Sequence, residues 1–441
     1  MKQFNTFTFE GYDLDRESGT VSLRYNLDGT TEFTEKLLLP TKGMVRYDEH
    51  TVDRALHTLH LFGGASYYKT CCPKTIAIHT APLTAERAAF WNTVYQKGLG
   101  EFFYKNKVDF RGLIAFPATA SNTPEVDGKP RAAGKRVLVP IGGGKDSTVT
   151  VELLKAAGFD VTLLRMGSHP IITETARIAG VPMLTVERHL SGALFDLNAQ
   201  GALNGHVPIT GYLSALSVLV ALLYGFDSVA FSNEQSASEG NVEYLGMEVN
   251  HQWSKSVEFE RMFQEYLADF VTTDVQYFSL LRPWSELKIA QAFSKYPQYF
   301  PVTTSCNANW RVLKERPKER WCGACPKCAF AFAVLAAWVP ADDLINAFGA
   351  NLFESDALLP TFDELLGVSG NKPFECVGTP EETRAAFLLA ARQEAFAHTA
   401  AMQLFEAECR RDIADADALI ADALEPSDDH AVPPAYLHAL V

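Results

Sequence analysis

One stretch restricts this chain more than any other: Arg136-Val-Leu-Val-Pro-Ile-Gly-Gly-Gly-Lys-Asp-Ser-Thr148. Residues 137–141 read as a short buried strand. Three glycines follow, then Lys145, Asp146 and Ser147, and then Val149, Leu153 and Leu154 at helical spacing. A strand, a glycine turn and a helix start leave backbone N–H groups free beside the positive end of a helix dipole, which favours an anion. An ordinary strand-to-helix turn is the alternative, and three glycines running into Lys-Asp-Ser argue against it. The turn is not a Walker A loop, because Val139 stands where that motif needs its first glycine and Asp146 follows the lysine. Nor is it G-x-G-x-x-G, since no third glycine falls in register inside the helix.

Downstream the pattern alternates. Strands are expected at 137–141, 161–166, 183–186 and 228–232, and helices at 147–157, 171–179 and 211–224, with Gly158 and Gly180 closing the first two helices. That rhythm predicts an α/β fold around a doubly wound parallel sheet with right-handed crossovers. Ligands in such sheets sit at the carboxyl ends of the strands. Gly167-Ser-His169 and Ser232-Asn-Glu234 both follow strand ends, so both are expected beside the glycine loop. The polar run 232–241 is either a surface loop or a reader of substrate groups, with Asn233 a substrate contact and Glu234 a candidate acid or base. Val249-Asn-His-Gln-Trp-Ser-Lys255 combines an imidazole with an ammonium. His251 is either a proton carrier or a hydrogen-bonded structural histidine, and Lys255 a substrate contact. Thr210 reads as no more than a helix cap.

Residues 1–122 look like a separate α+β unit. Alternation at 20–25 and 31–37 predicts antiparallel strands joined by the turn Asn26-Leu-Asp-Gly29. Helices are expected at 52–62 and 83–97, and Gly63-Gly-Ala-Ser-Tyr-Tyr-Lys69 reads as a turn between them. There Tyr67, Tyr68 and Lys69 either bind an anionic substrate or form a solvated turn around one buried tyrosine. Residues 123–135 have linker composition, and 136–340 form the nucleotide-binding unit. Residues 341–424 read as helical, at 358–366, 383–392 and 400–424, and 425–441 as a mobile tail.

Four cysteines supply the second strong signal, Cys306 and the trio Cys322-Gly-Ala-Cys325-Pro-Lys-Cys328. Four thiolates suit tetrahedral zinc. A redox or catalytic role for one of them, or a set of unrelated buried thiols, are the other readings. Cys71 and Cys72 read as structural. The net charge of −14 argues against a nonspecific nucleic-acid binder. With no signal-peptide pattern in the first residues and no apolar run long enough to span a bilayer, a cytoplasmic location with reduced thiols is expected.

The glycine loop resembles the pyrophosphatase P-loop, Ser-Gly-Gly-x-Asp-Ser, with Gly142 in place of the usual serine. That resemblance implies an adenine nucleotide α-hydrolase type of fold, in which Gly142, Gly143, Gly144, Lys145, Asp146 and Ser147 hold ATP and Asp146 holds Mg²⁺. A cysteine cluster behind such a loop also resembles 7-cyano-7-deazaguanine synthases, though the spacing before the trio differs and their chains lack the long N-terminal region. The whole series, from 63–69 through the loop, 232–241 and 249–255 to the cysteines, is similar to the MurL family. These are UDP-N-acetyl-α-D-muramoyl-L-alanyl-L-glutamate epimerases of peptidoglycan synthesis. The likeness is weakest after about residue 370.

That family resemblance implies an ATP-dependent epimerase acting on a UDP-linked muramoyl peptide, handed over by the ligase that adds L-glutamate. A glutamate α-proton beside an ionised carboxylate is too weakly acidic for a side-chain base. An acyl-adenylate, formed with release of pyrophosphate, would acidify it. Lys145 would offset charge on the pyrophosphate, and His251, Glu234 and Cys306 are the candidate proton carriers; Cys306 cannot be both base and zinc ligand. An amide- or nitrile-forming ligase and a non-hydrolysing nucleotide sensor are the competing classes.

Overall fold

In the computed structural model, which describes residues 4–120, 126, 134–310 and 317–441, strands from both halves of the chain hydrogen-bond into one nine-stranded sheet. The N-terminal part supplies β1 (Thr6–Asp15), β2 (Thr20–Leu27) and β3 (Thr31–Leu38), an antiparallel meander. Its second turn falls where expected: Asp28 and Gly29 take positive φ, and the Asn26 side chain accepts from the Gly29 N–H. Helix α1 (Glu49–Tyr68), capped by Asp48, leads to β4 (Thr75–Ile78), which lies parallel to β1; α2 (Ala85–Gly98) and α3 (Gly100–Asn106) follow.

The second part alternates as its periodicity predicts: β5 (Arg136–Pro140), α4 (Lys145–Ala156), β6 (Asp160–Met166), α5 (Pro170–Ala179) and β7 (Met183–His189). Next come α6 (Gly192–Ala199), α7 (Ile209–Tyr224) and β8 (Ser228–Phe231). A small hairpin, β9 (Val242–Tyr244) and β10 (Met247–Val249), precedes α8 (Val257–Phe270), β11 (Gln276–Ser279), α9 (Glu286–Phe293) and α10 (Pro326–Ala336). Strand order across the sheet is β11-β8-β5-β6-β7-β3-β2-β1-β4. The five strands from β11 to β7 are parallel, and β7 meets β3 antiparallel. The chain leaves β5 in one direction for β6 and β7, then returns to its other side for β8 and β11, so the order reverses at β5. A crevice forms at such a reversal.

Side chains alternate across the parallel strands. Val137 and Val139 enter the core that holds α4, α9 and α10, and Leu138 enters the core built with α1, α7 and α8. Helix α7 is apolar nearly all round because it is buried nearly all round, between α1 and strands β5 and β8. Among the described residues no helix is long and apolar enough to cross a membrane.

The structure corrects three sequence expectations. Residues 63–68 are not a turn but the last turns of α1. Gly63 and Gly64 serve close approach: a Cβ would fall 2.4 Å from the Tyr25 hydroxyl oxygen and 2.3 Å from Phe9 Cε1. The long helix expected at 400–424 is broken into Ala400–Glu408 and Ala416–Leu424, because the Asp415 side chain accepts from the Ala418 N–H at 3.0 Å and starts a new helix. The tail, whose composition predicted mobility, docks through fully buried Tyr436, which stacks on Phe159 at 4.7 Å and donates to Ser228 Oγ at 2.9 Å. Most of the expected linker, 123–135, lies outside the described residues.

One buried carboxylate ties the two parts of the sheet together. Glu35 on β3 accepts from Arg188 on β7 at 2.9 and 3.1 Å, from Tyr67 of α1 at 2.9 Å and from Tyr212 of α7 at 2.6 Å. Its side chain is fully inaccessible. Removing one partner of a buried pair leaves the other charge uncompensated. Glu35→Ala should therefore lower stability by about 3–5 kcal/mol, read by urea unfolding, with Glu35→Gln intermediate.

Candidate functional site

A cavity of about 450 Å³ opens at the carboxyl ends of β5, β6 and β8, in the size range of small-molecule sites. Gly142, Gly144, Asp146 and Ser147 form one wall, Ser232 and Asn233 another, and Lys255, Lys327 and Cys376 the third. Thr304, Ser305, Asn307 and Trp310 complete the rim.

The glycine loop is shaped from within and from behind. Gly143 has φ of 79°, and a Cβ there would lie 2.9 Å from Ile171, so only glycine fits without displacement. Its carbonyl accepts from the Thr304 N–H at 3.0 Å. Gly142 has nothing within 4 Å of an added Cβ and so faces open space. Gly144 caps α4 with extended backbone and no side-chain acceptor, leaving the first N–H groups of the helix unfilled by any cap side chain.

Lys145 does not line the cavity. It is buried in ion pairs with Asp146 and with Glu286, the first residue of α9. Glu286 also meets Lys327 Nζ at 3.4 Å. Burial by itself would raise the Glu286 carboxyl and lower the Lys145 ammonium, but the mutual pairing outweighs it, so Glu286 is shifted down and Lys145 up. Among the described residues, Lys255 and Lys327 are therefore the cations that line the cavity.

Beside Lys255 lies a second cluster. Its Nζ is 3.3 Å from Cys376 Sγ, and nearby His251 Nδ1 is 2.5 Å from Glu101. The ring of His206 sits 4.8 Å from that of His251. Burial pushes the Cys376 thiol up, yet Lys255, then His251 and Lys327, pull it down to about 6. Burial likewise lowers His251, and its bonds to Cys376 and Glu101 raise it to about 9. Imidazolium and thiolate thus stabilise each other.

The four cysteines singled out in the sequence come together. Sγ separations are 4.0 Å for Cys306–Cys325, 3.7 Å for Cys322–Cys328 and 3.5 Å for Cys325–Cys328, with all four sulfurs within 4.8 Å of one another. The edge of a ZnS₄ tetrahedron with bonds of about 2.3 Å is about 3.8 Å. Crowding splits the proton affinities: hydrogen bonds from the neighbouring thiols shift Cys306 down and shift Cys328 up. Four such sulfurs can ionise together only around a cation, so the donor set fits a tetrahedral metal.

The remaining sequence candidates scatter. Asn233 is on the cavity wall, but Glu234 is buried behind it, its carbonyl held by Arg282 and its carboxyl shifted up by burial and by Glu286. Tyr67 and Tyr68 lie in the N-terminal core rather than on the cavity. Lys69 donates to Asn204 Oδ1 at 2.6 Å and to the Gly205 carbonyl at 2.9 Å. His169 caps α5, and its ring lies tilted against that of the rim residue Trp310, with centres 4.1 Å apart. Sequence reasoning missed Cys376, Glu286, Lys327 and Glu101. Lys327 was visible inside the cysteine trio but read only as part of a turn. Cys376 stands alone in a region read as helical, without a spacing to betray it.

Comparison with known proteins bears on the whole chain. The MurL N-terminal domain model matches residues 1–280 and the MurL C-terminal domain model residues 302–419. The chain is 40% identical over 437 residues to the UDP-N-acetyl-alpha-D-muramoyl-L-alanyl-L-glutamate epimerase of Xanthomonas oryzae pv. oryzae, covering 98% of this chain and 96% of that protein. The enzyme of the same name from a Micromonospora species is 36% identical over 100% of this chain and 98% of its own. That from Salinispora tropica is 40% identical over 89% and 86%.

The loop geometry makes a contrast that thermal unfolding can read. Gly142→Ser should leave the transition unchanged, whereas Gly143→Ala should destabilise by about 1–3 kcal/mol.

Proposed function

The chain belongs to the MurL epimerase family, and on that premise we propose that it inverts the α-carbon of the terminal L-glutamate of UDP-N-acetylmuramoyl-L-alanyl-L-glutamate. ATP is consumed to AMP and pyrophosphate through a carboxyl adenylate. The observation that carries this reading is that a glycine loop at a helix start and a cysteine thiol with a lysine ammonium beside it open into one cavity. A nucleotide activates the carboxylate at the first, and a proton is exchanged at the second.

The strand order about β5, with the loop directly after it, suits the adenine nucleotide α-hydrolase type of fold. The N–H groups of residues 142–144 and the start of α4 bind pyrophosphate, with Ser147 donating its hydroxyl. Asp146 is the residue that would hold Mg²⁺, which offsets phosphate charge when bound. Lys145 keeps the loop in register through Glu286 and leaves the electrostatic work on the substrates to Lys255 and Lys327. Attack of the glutamyl carboxylate on the α-phosphorus turns a carboxylate into a neutral ester-like carbonyl. Its α-C–H is then acidic enough for a side-chain base, and hydrolysis releases the D-glutamyl product and AMP. The substrate would come from the ligase that attaches L-glutamate, in the cytoplasm where ATP is supplied.

Zinc in the four-cysteine site would have a structural role in this scheme. The Cys306 segment carries Thr304, whose N–H holds the Gly143 carbonyl, and the Cys328 helix carries Lys327. A closed tetrahedral site fixes both against the glycine loop.

Two measurements test these assignments. With ATP, Mg²⁺ and the L,L-peptide in D₂O, AMP and pyrophosphate should form and the D-glutamyl product should carry deuterium at its α-carbon. Pyrophosphate release without deuterium uptake would rule out the epimerase reading. By elemental analysis the wild type should hold about one zinc per chain and Cys325→Ser much less; equal metal content in both would remove the zinc site.

A further inference from the structure

We propose that Cys376 Sγ carries the proton at the substrate α-carbon, with Lys255 and His251 as its positioning residues. This rests on the epimerase reading and names the base that reading needs.

The geometry around Cys376 is built rather than incidental. The thiol lines the same cavity as the glycine loop. The segment that carries it is strapped down from several sides. Lys327 donates to the Cys376 carbonyl, Asn307 donates to Glu375, and the Asn241 amide donates to the carbonyls of Lys372 at 3.2 Å and Pro373 at 2.9 Å. Phe374 stacks on Tyr104 with ring centres 5.3 Å apart. Behind the thiol, Glu101 holds His251, and Lys255 Nζ lies 3.3 Å from the sulfur. The groups facing it are thus Lys255, His251 and Lys327 as cations, with Glu375 and Glu101 as the nearer anions.

The other thiols are differently placed. Cys71 and Cys72 are shifted up by burial, as is Cys409. Cys306, the sulfur first considered as a base, is fully buried within the four-cysteine cluster. Among the described residues, only Cys376 combines contact with the cavity and a lysine ammonium on its sulfur. A thiolate with an affinity near neutral pH is suited to general-base work, which contributes about 10²–10⁴ in rate.

The step balances without an outside oxidant or reductant. The Cys376 thiolate takes the α-proton: an S–H bond forms, the C–H bond breaks, and its electron pair moves into the adenylate carbonyl to give an enolate. Water, which the hydrolysis of the adenylate requires in any case, returns a proton to the other face. The hydroxide so formed is neutralised by the thiol, restoring the thiolate. Lys255 stabilises the sulfur as a thiolate before it takes the proton and after it gives one up.

The test compares Cys376→Ser and Cys376→Ala with wild type, using the L,L-peptide, ATP and Mg²⁺ in D₂O. Peptide-dependent pyrophosphate release should remain within about tenfold, while α-deuterium uptake falls at least 100-fold in the alanine variant. Uptake within threefold of wild type in both variants would overturn the assignment. If wild type epimerises without forming AMP, the adenylate reading fails while the deuterium comparison still decides the role of Cys376. A second measurement needs no Cys376 variant. Iodoacetamide labelling of Cys376, followed by peptide mass spectrometry, should titrate near pH 6, shift upward in Lys255→Met, and be suppressed by the peptide substrate. Labelling that titrates near pH 9 and ignores substrate would overturn the proposal.

Discussion

The crevice depends on a charge balance held under its floor. Glu286, inaccessible at the start of α9, stands between Lys145 of the glycine loop and Lys327 of α10. Each buried ion by itself costs several kcal/mol, and only close pairing with opposite charge offsets that. The helix that follows β11, the loop that follows β5 and the helix that begins within the cysteine trio therefore take up one fixed arrangement. Above that balance, Lys255 and Lys327 stand on the cavity wall, Lys255 against the Cys376 sulfur and Lys327 against the Cys376 carbonyl. An overall acidic protein, with net charge −14, thereby keeps a local site for anionic groups.

The cysteine cluster and the C-terminal segment are organised by the same balance. Cys306 lies beside Thr304, whose N–H holds the Gly143 carbonyl of the loop, and Cys328 lies beside Lys327, which holds the Cys376 carbonyl. The segment 372–376 crosses from the C-terminal part of the chain to close the site, so the crevice draws on residues from Glu101 to Cys376. Most of the chain is needed to build one cavity. Two of the relatives align with this chain over nearly its whole length.

Much of this was legible in the sequence because local rules wrote it. The alternation of strands and helices from Arg136 to Phe231 follows from apolar periodicity and glycine stops, and the glycine loop announces its own turn. The cysteine spacing showed which sulfurs would meet. What was not legible depended on tertiary placement. Gly63 and Gly64 look like turn residues, and only the approach of Tyr25 and Phe9 makes them helix residues. Tyr67 read as a substrate contact or as part of a solvated turn with one buried tyrosine, yet it donates to a carboxylate inside the core. Cys376 has no neighbour in sequence that marks it; its chemistry comes from Lys255 and His251, more than a hundred residues away. Lys145, read as a ligand for phosphate, is instead committed to Glu286.

The central claim is that the cavity activates a carboxylate with the nucleotide before it exchanges a proton. It is tested most directly by oxygen tracing. The L,L-peptide is prepared with ¹⁸O in the carboxylate of its terminal glutamate, and turnover is followed in unlabelled water. If an adenylate forms and water opens it at the carbonyl, one carboxylate oxygen leaves with the phosphate, and AMP carries a single ¹⁸O. AMP free of ¹⁸O, released while the D-glutamyl product accumulates, would contradict the account.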